Sequence, residues 1–437
     1  MESARELLEF IGQSVSPAHV VDAAAERLKK AGFAKLFMES PWELRPGGKY
    51  FVSVYGSALL AFTVGKKRGQ LRMAAAHTDF PCFRVKPAAG IVKEGYGSLN
   101  VEGYGGLMLR TWLDRPLSLA GRAVIRTEDS FHPEVRLIDF ARPLLTIPSL
   151  AIHMDREVNE KGELNLQKDM LPLTALFGRN SETDDANFFL EWMASRLGVP
   201  AGDILSYELS AYPWETGTEL GLAGEFISSP RLDNLTSVLA CLDGICAAET
   251  GKGVSLIALF DNEETGSRTK QGAGSMVLEH VLRRIYRAAG YSEEERWADI
   301  ASGFLLSVDV AHGLHPNHAD KSDPTNRPVL GGGVVLKQAA SQAYAGDAEA
   351  AAVVRGLCEA NEIPFQYFVN RSDLRGGATL GSIASAVVPI RTMDIGVPIL
   401  AMHSARELMG SEDQQALSRL LKVFFLRNLK RSQGTAD

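Results

Sequence analysis

The stretch "VSLIALFDNEETGSRTKQGAGS", residues 254–275, begins as an almost unbroken apolar run and then crowds three carboxylates into four positions. Residues 254–260 predict a strand, because a short apolar run bounded by polar and glycine residues is typical of a strand buried on both faces. Asp261, Glu263 and Glu264 follow at once. The stretch therefore predicts a buried strand of a parallel sheet with acidic side chains at its carboxyl end.

Helices and strands alternate along both ends of the chain. The pattern predicts a helix at 16–32, a strand at 70–77, a helix at 234–249, a strand at 254–260, a helix at 275–289 and a strand at 303–309. Alternation of this kind, with continuous apolar strands, favours an α/β fold in which helices cover both faces of a mostly parallel sheet.

The middle of the chain has a different texture. Residues 87–225 mix glycines with alternating apolar positions, a pattern typical of short antiparallel strands, and residues 184–198 supply one helix. We therefore expect a discontinuous α/β domain formed by residues 1–86 and 226–437, with a β-rich domain at 87–225 inserted into it.

Composition excludes several classes of function. The 437 residues are 45% hydrophobic and 23% charged, with a net charge of −7, so no general attraction to nucleic acid or anionic lipid is expected. No apolar window is long enough for a membrane span. The start "MESARELLEFIGQSV" lacks the features of a signal peptide, the end "SQGTAD" matches no address signal, and the four cysteines form no CxxC pair. These features predict a cytoplasmic protein with free thiols.

Residues of metal-ligating types recur where predicted strands end or a helix begins. They are His77, Asp79, Asp233, Asp309, His312 and His403, in addition to the acidic residues after the strand at 254–260. Ligands of open α/β sheets bind beyond the carboxyl ends of the strands. We therefore expect these distant segments to converge on one crevice.

Each of these residues also has an ordinary structural interpretation. Asp233 could simply cap a helix, Glu263 and Glu264 could form a solvated turn, and His77 or His403 could be hydrogen-bonded structural histidines. The coincidence of several such residues at strand ends favours a shared site.

The chemistry that suits this set is a pair of divalent metal ions bound by imidazole and carboxylate. Zinc is the expected metal, with manganese or cobalt as alternatives. Five ligands are predicted: His77, Asp233, Glu264, Asp309 and His403. Three carboxylates leave one unit of positive charge on two divalent ions, enough to hold a bridging hydroxide. Asp233 is the expected bridge, and Asp79 is expected to accept the second ring N–H of His77.

Six segments of the chain resemble the M18 family of metalloaminopeptidases, which includes the aspartyl aminopeptidases. They are "AAHTDFPCFRVKP", "RLDN", "DNEETGS", "SVDVAHGLHPNHADK", "GGGVVLKQAASQAY" and "ILAMHSARE", and the resemblance runs from about residue 15 to about residue 425. It implies that His77, Asp233 and Asp309 bind one metal. It also implies that Asp233 binds the other metal together with Glu264 and His403, with Glu263 as general base.

The resemblance implies hydrolysis of the N-terminal peptide bond. One metal polarises the scissile carbonyl, and Glu263 deprotonates the bridging water and then passes the proton to the leaving amine. The free α-amino group would bind the other metal, so that only terminal residues are removed. His312 either donates a hydrogen bond to the developing oxyanion or is a structural histidine of a polar loop.

Three further residues bear on substrate and assembly. Lys337 matches a family lysine that lines the pocket, which favours acidic N-terminal residues, although lysine also ends many strands as a solubilising residue. Phe80 stands where serine is common in the family and would make one wall of the pocket apolar, admitting leucine or methionine. His153 matches a position that reaches a neighbouring subunit's site in a homo-oligomer such as a dodecamer; otherwise it is an exposed edge-strand histidine.

Other functions remain open from the sequence alone. The enzyme alternatives are an aminopeptidase that prefers apolar residues and a two-metal N-acyl amino acid deacylase on the same scaffold. A non-enzymatic scaffold protein is a further alternative, which the intact set of ligands and base disfavours. A plain α/β protein without a site would require all the strand-end residues to be coincidental.

Overall fold

The structure is a computed structural model that describes residues 2–178, 186–374 and 376–426. Within these residues there are ten α-helices: α1 (Glu2–Gln13), α2 (Pro17–Lys30), α3 (Val158–Lys161), α4 (Phe188–Leu197), α5 (Leu232–Ala247), α6 (Val277–Ala288), α7 (Glu293–Ala301), α8 (Ala348–Glu359), α9 (Leu380–Val387) and α10 (Asp413–Leu426). The described strands are β1 (Ala34–Leu36), β2 (Lys49–Val54), β3 (Ala58–Val64), β4 (Lys67–His77), β5 (Cys82–Lys93), β6 (Tyr96–Tyr104), β7 (Leu117–Ile125), β8 (Glu134–Asp139), β9 (Leu173–Leu176), β10 (Ile204–Pro213), β11 (Thr218–Leu220), β12 (Phe226–Ser229), β13 (Lys252–Phe260), β14 (Phe304–Val308), β15 (Ala311–His312), β16 (Val334–Lys337), β17 (Phe365–Phe368), β18 (Thr392–Gly396), β19 (Pro398–Leu400) and β20 (Glu407–Gly410).

The largest sheet has nine strands in the order β1-β2-β3-β13-β4-β14-β18-β16-β17. Its central strands β13, β4, β14 and β18 run parallel to one another. On either side of this run the neighbours β3 and β16 are antiparallel. The predicted α/β fold is confirmed, and the predicted parallel arrangement describes the centre of the sheet rather than its whole width.

Both faces of this sheet are buried. In β13, Ile257 and Leu259 face one hydrophobic cluster, which includes residues of α1, α2, α5 and α10. Leu256 and Ala258 face a second cluster, built with α6, α7 and α9. Since successive side chains of a strand point to opposite faces, a strand covered on both sides must be apolar throughout. This burial accounts for the unbroken apolar run at 254–260.

A second sheet of six strands has the order β8-β7-β10-β5-β6-β9, and all its neighbouring pairs are antiparallel. Its strands come from residues 82–213, so they overlap most of the predicted β-rich insert and begin before its expected boundary at residue 87. The helix predicted at 184–198 corresponds to α4; residues 184 and 185 lie outside the described residues. The boundaries of the two domains stay a prediction.

A third sheet has five short strands in the order β11-β12-β20-β19-β15. His403 follows a strand, β19, as predicted, but this strand belongs to the small sheet and not to the parallel one. The difference arises because the chain leaves β18 at Gly396 and starts a new strand only two residues later.

At the N-terminus, α1 precedes the predicted helix at 16–32 and was not predicted. The predicted helix is α2, whose Ser16 cap accepts a hydrogen bond from the His19 backbone amide. No helix among the described residues combines the length and the apolar composition that a membrane crossing requires. The segment "SQGTAD" lies outside the described residues.

Candidate metal centre

Three adjacent parallel strands end at the candidate site. β13, β4 and β14 are neighbours in the large sheet. His77 is the last residue of β4 and pairs in register with Phe260, the last residue of β13. Asp309 directly follows β14, and the turn after β13 carries a short 3-10 helix, Glu263–Thr265. The carboxyl edge of the sheet thus brings together the histidine and carboxylates expected there.

Asp233 and His403 reach the same place from outside the large sheet. Asp233 is the second residue of α5, but its backbone is not helical (φ −78°, ψ 107°), and the Asp233–Asn234 peptide bond is cis. His403 lies between β19 and β20 with φ of 66°, a conformation that non-glycine residues seldom adopt. Both side chains enter the site from irregular backbone.

The two carboxylate oxygens of Asp233 face two different histidines. Oδ1 lies 3.4 Å from His77 Nε2, and Oδ2 lies 3.5 Å from His403 Nε2. Zinc bonds of about 2.0–2.2 Å at tetrahedral angles place two ligand atoms about 3.4 Å apart. Each spacing therefore suits a pair of ligands on one ion, and Asp233 has one oxygen for each of two ions.

Two more carboxylates complete the groups. Asp309 Oδ1 lies 3.6 Å from His77 Nε2, and Glu264 Oε2 lies 3.4 Å from His403 Nε2. The possible ligand atoms form close trios, each within 4.8 Å: His77, Asp233 and Asp309; Asp233, Glu264 and His403; and His77, Glu263 and Glu264. The first two trios are the predicted ligand sets. The third trio places Glu263 beside one ligand of each predicted set, His77 and Glu264.

Some buried oxygens in this cluster have no hydrogen-bond donor among the described residues. Asp233 Oδ1 and Glu264 Oε1 are buried and accept no hydrogen bond. An unpartnered buried carboxylate oxygen costs folding free energy, and a coordinated cation compensates it. Imidazole and carboxylate are ligands that zinc accepts. The residues therefore fit divalent zinc on both sides of Asp233.

The crowding of buried carboxylates shifts their pKa values. Burial raises the pKa of Glu263 to about 8, and the nearby Asp309 carboxylate adds to the shift. Burial and the Asp233 carboxylate raise the pKa of Glu264 well above its usual value. At Asp233 burial acts in the same direction and is the largest single effect, but the hydrogen bonds and charges of His403 and His77 together outweigh it and lower the pKa. The cluster thus carries more negative charge than its histidines neutralise.

His77 is oriented by the segment that follows it. Its Nδ1 lies 3.0 Å from the backbone carbonyl oxygen of Asp79 and 3.5 Å from the carboxylate Oδ1 of the same residue. The ring N–H therefore has its nearest acceptor in the Asp79 backbone, where the sequence predicted the side chain. Donation from Nδ1 leaves Nε2 free to face the metal position.

The Asp79 carboxylate instead holds the turn that carries the two glutamates. It accepts hydrogen bonds from the Tyr104 hydroxyl at 2.6 Å and from the backbone amides of Glu263 and Glu264, each at 3.1 Å. The Tyr104 hydroxyl also accepts a hydrogen bond from Asn262 Nδ2 at 2.8 Å. One buried carboxylate therefore fixes both glutamates relative to His77.

His403 is oriented by a loop of the six-stranded sheet. Its Nδ1 donates to the Gly106 carbonyl oxygen at 3.0 Å, and its own carbonyl accepts from the Met108 amide at 3.1 Å. A Cβ atom on Gly106 would lie 3.0 Å from His403 Nδ1, closer than side chains normally pack. A larger residue at position 106 would therefore require His403 to shift by a few tenths of an ångström.

A cavity of about 450 Å³ opens over the two trios, and the predicted residues Lys337 and His312 both line it. Lys337 is only 1% exposed. Its Nζ lies 3.4 Å from Asp309 Oδ2 and donates to the Val310 carbonyl at 3.0 Å. The ring of Tyr344 is 5.1 Å away. The ammonium group therefore lies under the cavity and is already paired with a predicted metal ligand.

Two predicted residues lie elsewhere. Phe80 is not among the residues that line the cavity; its ring is 3% exposed, belongs to the hydrophobic core and faces the Arg231 guanidinium at 5.5 Å. The expectation that Phe80 forms a pocket wall is corrected, because the chain turns its side chain inward three residues after His77. His153 lies in an exposed turn rather than on a strand, away from the cavity of its own chain. Its role toward a neighbouring subunit stays a prediction.

Tyr104 and Gly106 contribute to the site without having been predicted. Both occur in "EGYGG", residues 102–106, inside the glycine-rich region that predicted short antiparallel strands. Their contacts to Asp79 and His403 span 25 and 297 positions of the chain. The glycine pair was a signal for close backbone approach, but nothing in the sequence indicated what approaches it.

Comparison with known proteins places the chain in a class. The family model described as "Aminopeptidase I zinc metalloprotease (M18)" matches residues 10–425. The chain belongs to the M18 family and is a zinc aminopeptidase, a hydrolase of peptide bonds. The resemblance seen in the sequence is thereby confirmed, and aminopeptidase chemistry is supported over the other functions considered.

Individual relatives cover almost the whole chain. A probable M18 family aminopeptidase 2 of Clostridium acetobutylicum is 42% identical over 430 residues, 97% of this chain and 99% of the relative. A protein of the same description from Pseudomonas fluorescens is 40% identical over 422 residues, 96% of this chain and 97% of the relative. The solved S. cerevesiae mApe1 dodecamer is 28% identical, with a TM-score of 0.82 over 97% of this chain and 96% of that chain.

Proposed function

We propose that this aminopeptidase uses two zinc ions, one held by His77, Asp233 and Asp309 and the other by Asp233, Glu264 and His403. The observation that carries the proposal is the position of Asp233, whose two oxygens lie 3.4 Å and 3.5 Å from two different histidines. When bound, a pair of zinc ions polarises the scissile carbonyl and lowers the pKa of a water molecule between them.

Glu263 is the general base in this proposal. Its side chain lines the cavity beside both trios, and its backbone amide is fixed by Asp79. A carboxylate in that position accepts the proton of the attacking water and returns it to the leaving amine. Glu264, the next residue, faces His403 and is a metal ligand instead. The two adjacent glutamates thus have different roles set by the turn that carries them.

Substitution of the two glutamates distinguishes these roles. Glu263→Gln keeps the shape of the side chain but removes its basicity, so kcat should fall by about 10²–10⁴-fold while zinc content stays at the wild-type level. Glu264→Gln should instead lose zinc, because an amide is a poor ligand. Metal analysis and peptide hydrolysis on both variants test the assignment; substantial activity in Glu263→Gln would refute it.

We propose acidic N-terminal residues as the preferred substrates, with an apolar preference as the alternative. Among the described residues that line the cavity, Lys337 is the only lysine or arginine. Its ammonium could pair with a substrate carboxylate. Its pairing with Asp309 reduces the charge available to substrate. The zinc ion that Asp309 would bind offsets the charge of that carboxylate, which weakens its pairing with Lys337 and leaves the ammonium able to attract an acidic side chain.

The preference is measured with aspartyl, glutamyl and leucyl substrates. Lys337→Met should lower kcat/KM for the acidic substrates by about tenfold or more and change the leucyl value little, since only the acidic ones lose an ion pair. Zinc content is the control, because Lys337 also contacts Asp309. A wild-type enzyme that cleaves leucyl substrates faster than aspartyl ones rules out the acidic preference and leaves the aminopeptidase function intact.

We further propose that the chain forms a homo-oligomer through the β-rich region at 87–225. The mApe1 relative was solved as a dodecamer. Leu150, Ile152 and Met154 are large apolar side chains exposed in this region, beside His153, which would reach a neighbouring site. A fully active monomer in light scattering would refute the assembly.

The proposed location is the cytoplasm, whose reducing conditions suit the four free cysteines.

A further inference from the structure

Glu407 is a buried carboxylate that the chemistry described so far does not use. It lies on β20 and is 2% exposed. Its Oε1 accepts a hydrogen bond from the backbone amide of His403 at 2.8 Å. Its Oε2 accepts one from the backbone amide of Asp233 at 3.0 Å. One carboxylate therefore joins two residues that are 170 positions apart and that both belong to the same ligand trio.

This arrangement has a counterpart on the other side of the site. Asp79 is also buried and accepts hydrogen bonds from the backbone amides of Glu263 and Glu264. Asp79 thus fixes the base and one ligand, whereas Glu407 fixes the bridging ligand and the histidine. A carboxyl side chain has two oxygens and can accept a hydrogen bond at each, so one such side chain can hold two backbone amides in place.

The two segments that Glu407 joins have little regular structure to hold them. Asp233 is preceded by Arg231 with φ of 61°, and His403 itself has φ of 66°. The Asp233 amide lies at the start of α5, where backbone amides have no acceptor within the helix. An acceptor supplied from elsewhere is therefore needed for these backbones to stay in place.

The sheet topology explains how one side chain reaches both segments. In the five-stranded sheet, β20 lies between β12 and β19 and is antiparallel to both. β12 leads into the segment that carries Asp233, and β19 leads into the segment that carries His403. Glu407 begins β20 and is in register with Ser229, the last residue of β12. Its carboxylate consequently lies where the two neighbouring strands release their chains toward the site.

We propose that Glu407 is a positioning residue that sets the zinc affinity of the ion bound by Asp233, Glu264 and His403. It touches neither substrate nor ion and acts through the backbones of two ligands. The inference rests on the proposed two-zinc site and adds a residue that affects the binding affinity for one of the two ions. His77 and Asp309 make no hydrogen bond to Glu407 among the described contacts, so the other ion depends on it only through the shared Asp233.

The test is a zinc titration of the metal-free full-length protein against a chelator of known affinity. Glu407→Gln retains one carbonyl oxygen and presents an amide group to the second backbone N–H, so it can accept only one of the two hydrogen bonds. The affinity of the protein for one of the two zinc ions should fall by about 10–100-fold, as it does when other residues that orient metal ligands are substituted. Added zinc should restore turnover.

Asp413→Asn is the matched control. Asp413 is 0% exposed and likewise bridges two backbone amides, those of Gly331 and Gly333, each at 2.8 Å. Neither glycine is a ligand. Asp413→Asn should destabilise the metal-free protein to a similar extent as Glu407→Gln and leave both zinc affinities unchanged. A purely structural role for Glu407 would make the two variants behave alike.

Different outcomes would refute the role of Glu407 and the two-zinc site. A wild-type protein that binds fewer than two zinc ions contradicts the two-zinc site. If the wild type binds two ions and Glu407→Gln binds both with affinities within threefold of the wild-type values, the role of Glu407 is refuted and the two-zinc site is not. A loss of turnover in Glu407→Gln that saturating zinc does not restore also refutes that role. If Glu407→Gln does not accumulate in folded form, Glu407→Asp serves in its place, because it keeps the charge but is too short to reach both amides.

Discussion

Replacement of Tyr104 by phenylalanine should impair catalysis although the hydroxyl touches neither a predicted ligand nor the substrate cavity. The hydroxyl donates to Asp79 Oδ2 at 2.6 Å and accepts from Asn262 Nδ2 at 2.8 Å. A hydrogen bond to a charged group contributes about 1.5–3 kcal/mol and one between neutral groups about 1 kcal/mol. Tyr104→Phe removes both, so the folded state should lose about 2.5–4 kcal/mol.

The same change should lower kcat by about tenfold, because Asp79 then holds the Glu263 and Glu264 turn less firmly and small displacements of a base are costly. KM should change little, and saturating zinc should not restore kcat, because the displaced Glu263 is the proposed base. The assay is steady-state peptide hydrolysis together with metal analysis and a denaturation midpoint.

Tyr207→Phe is the matched control for this prediction. The Tyr207 hydroxyl donates to the Lys86 carbonyl oxygen at 2.7 Å within the six-stranded sheet. Its removal should cost about 1 kcal/mol of stability, the value for one neutral hydrogen bond, and leave kcat unchanged. Tyr104→Phe with kcat within twofold of the wild type would refute the reasoning that Asp79 positions the glutamate turn.

Three further changes test other contacts. Gly106→Ala places a Cβ atom 3.0 Å from His403 Nδ1 and should weaken zinc binding measurably in a chelator titration, an expectation contradicted by unchanged affinity. Phe80→Leu removes a core ring that faces Arg231 and should lower the melting temperature, while the ratio of leucyl to aspartyl hydrolysis stays the same; a changed ratio would reinstate Phe80 as a pocket wall. Removal of metal by a chelator should lower the melting temperature and abolish hydrolysis, and zinc should restore both, because unpartnered carboxylate oxygens at Asp233 and Glu264 lose their countercharge.

The sequence was informative about the centre of the fold because that part follows local rules. A strand buried on both faces must be apolar along its length, so the run at 254–260 identified β13 and its acidic turn. The end of β4 at His77 and the end of β14 before Asp309 could be found in the same way. Since parallel strands end on one edge, the meeting of these residues followed from the pattern.

Other features depend on contacts between distant segments and leave no periodic signal. Antiparallel neighbours at both sides of the parallel run follow from how the chain returns to the sheet, which composition does not specify. The inward direction of Phe80 is set by packing against Arg231. Glu407 resembles any other glutamate in the sequence, and only the strand order β12-β20-β19 brings it to the amides of Asp233 and His403.

The most direct test of the two-zinc site is the number and position of zinc ions, measured by elemental analysis of the purified protein and by anomalous scattering from its crystals. Two zinc ions per chain are expected, about 3.5–4 Å apart, with one oxygen of Asp233 on each. His77 and Asp309 should hold one ion and His403 and Glu264 the other, and Asp233→Ala should lose both. A single ion per chain, or two ions that do not share Asp233, would contradict the account.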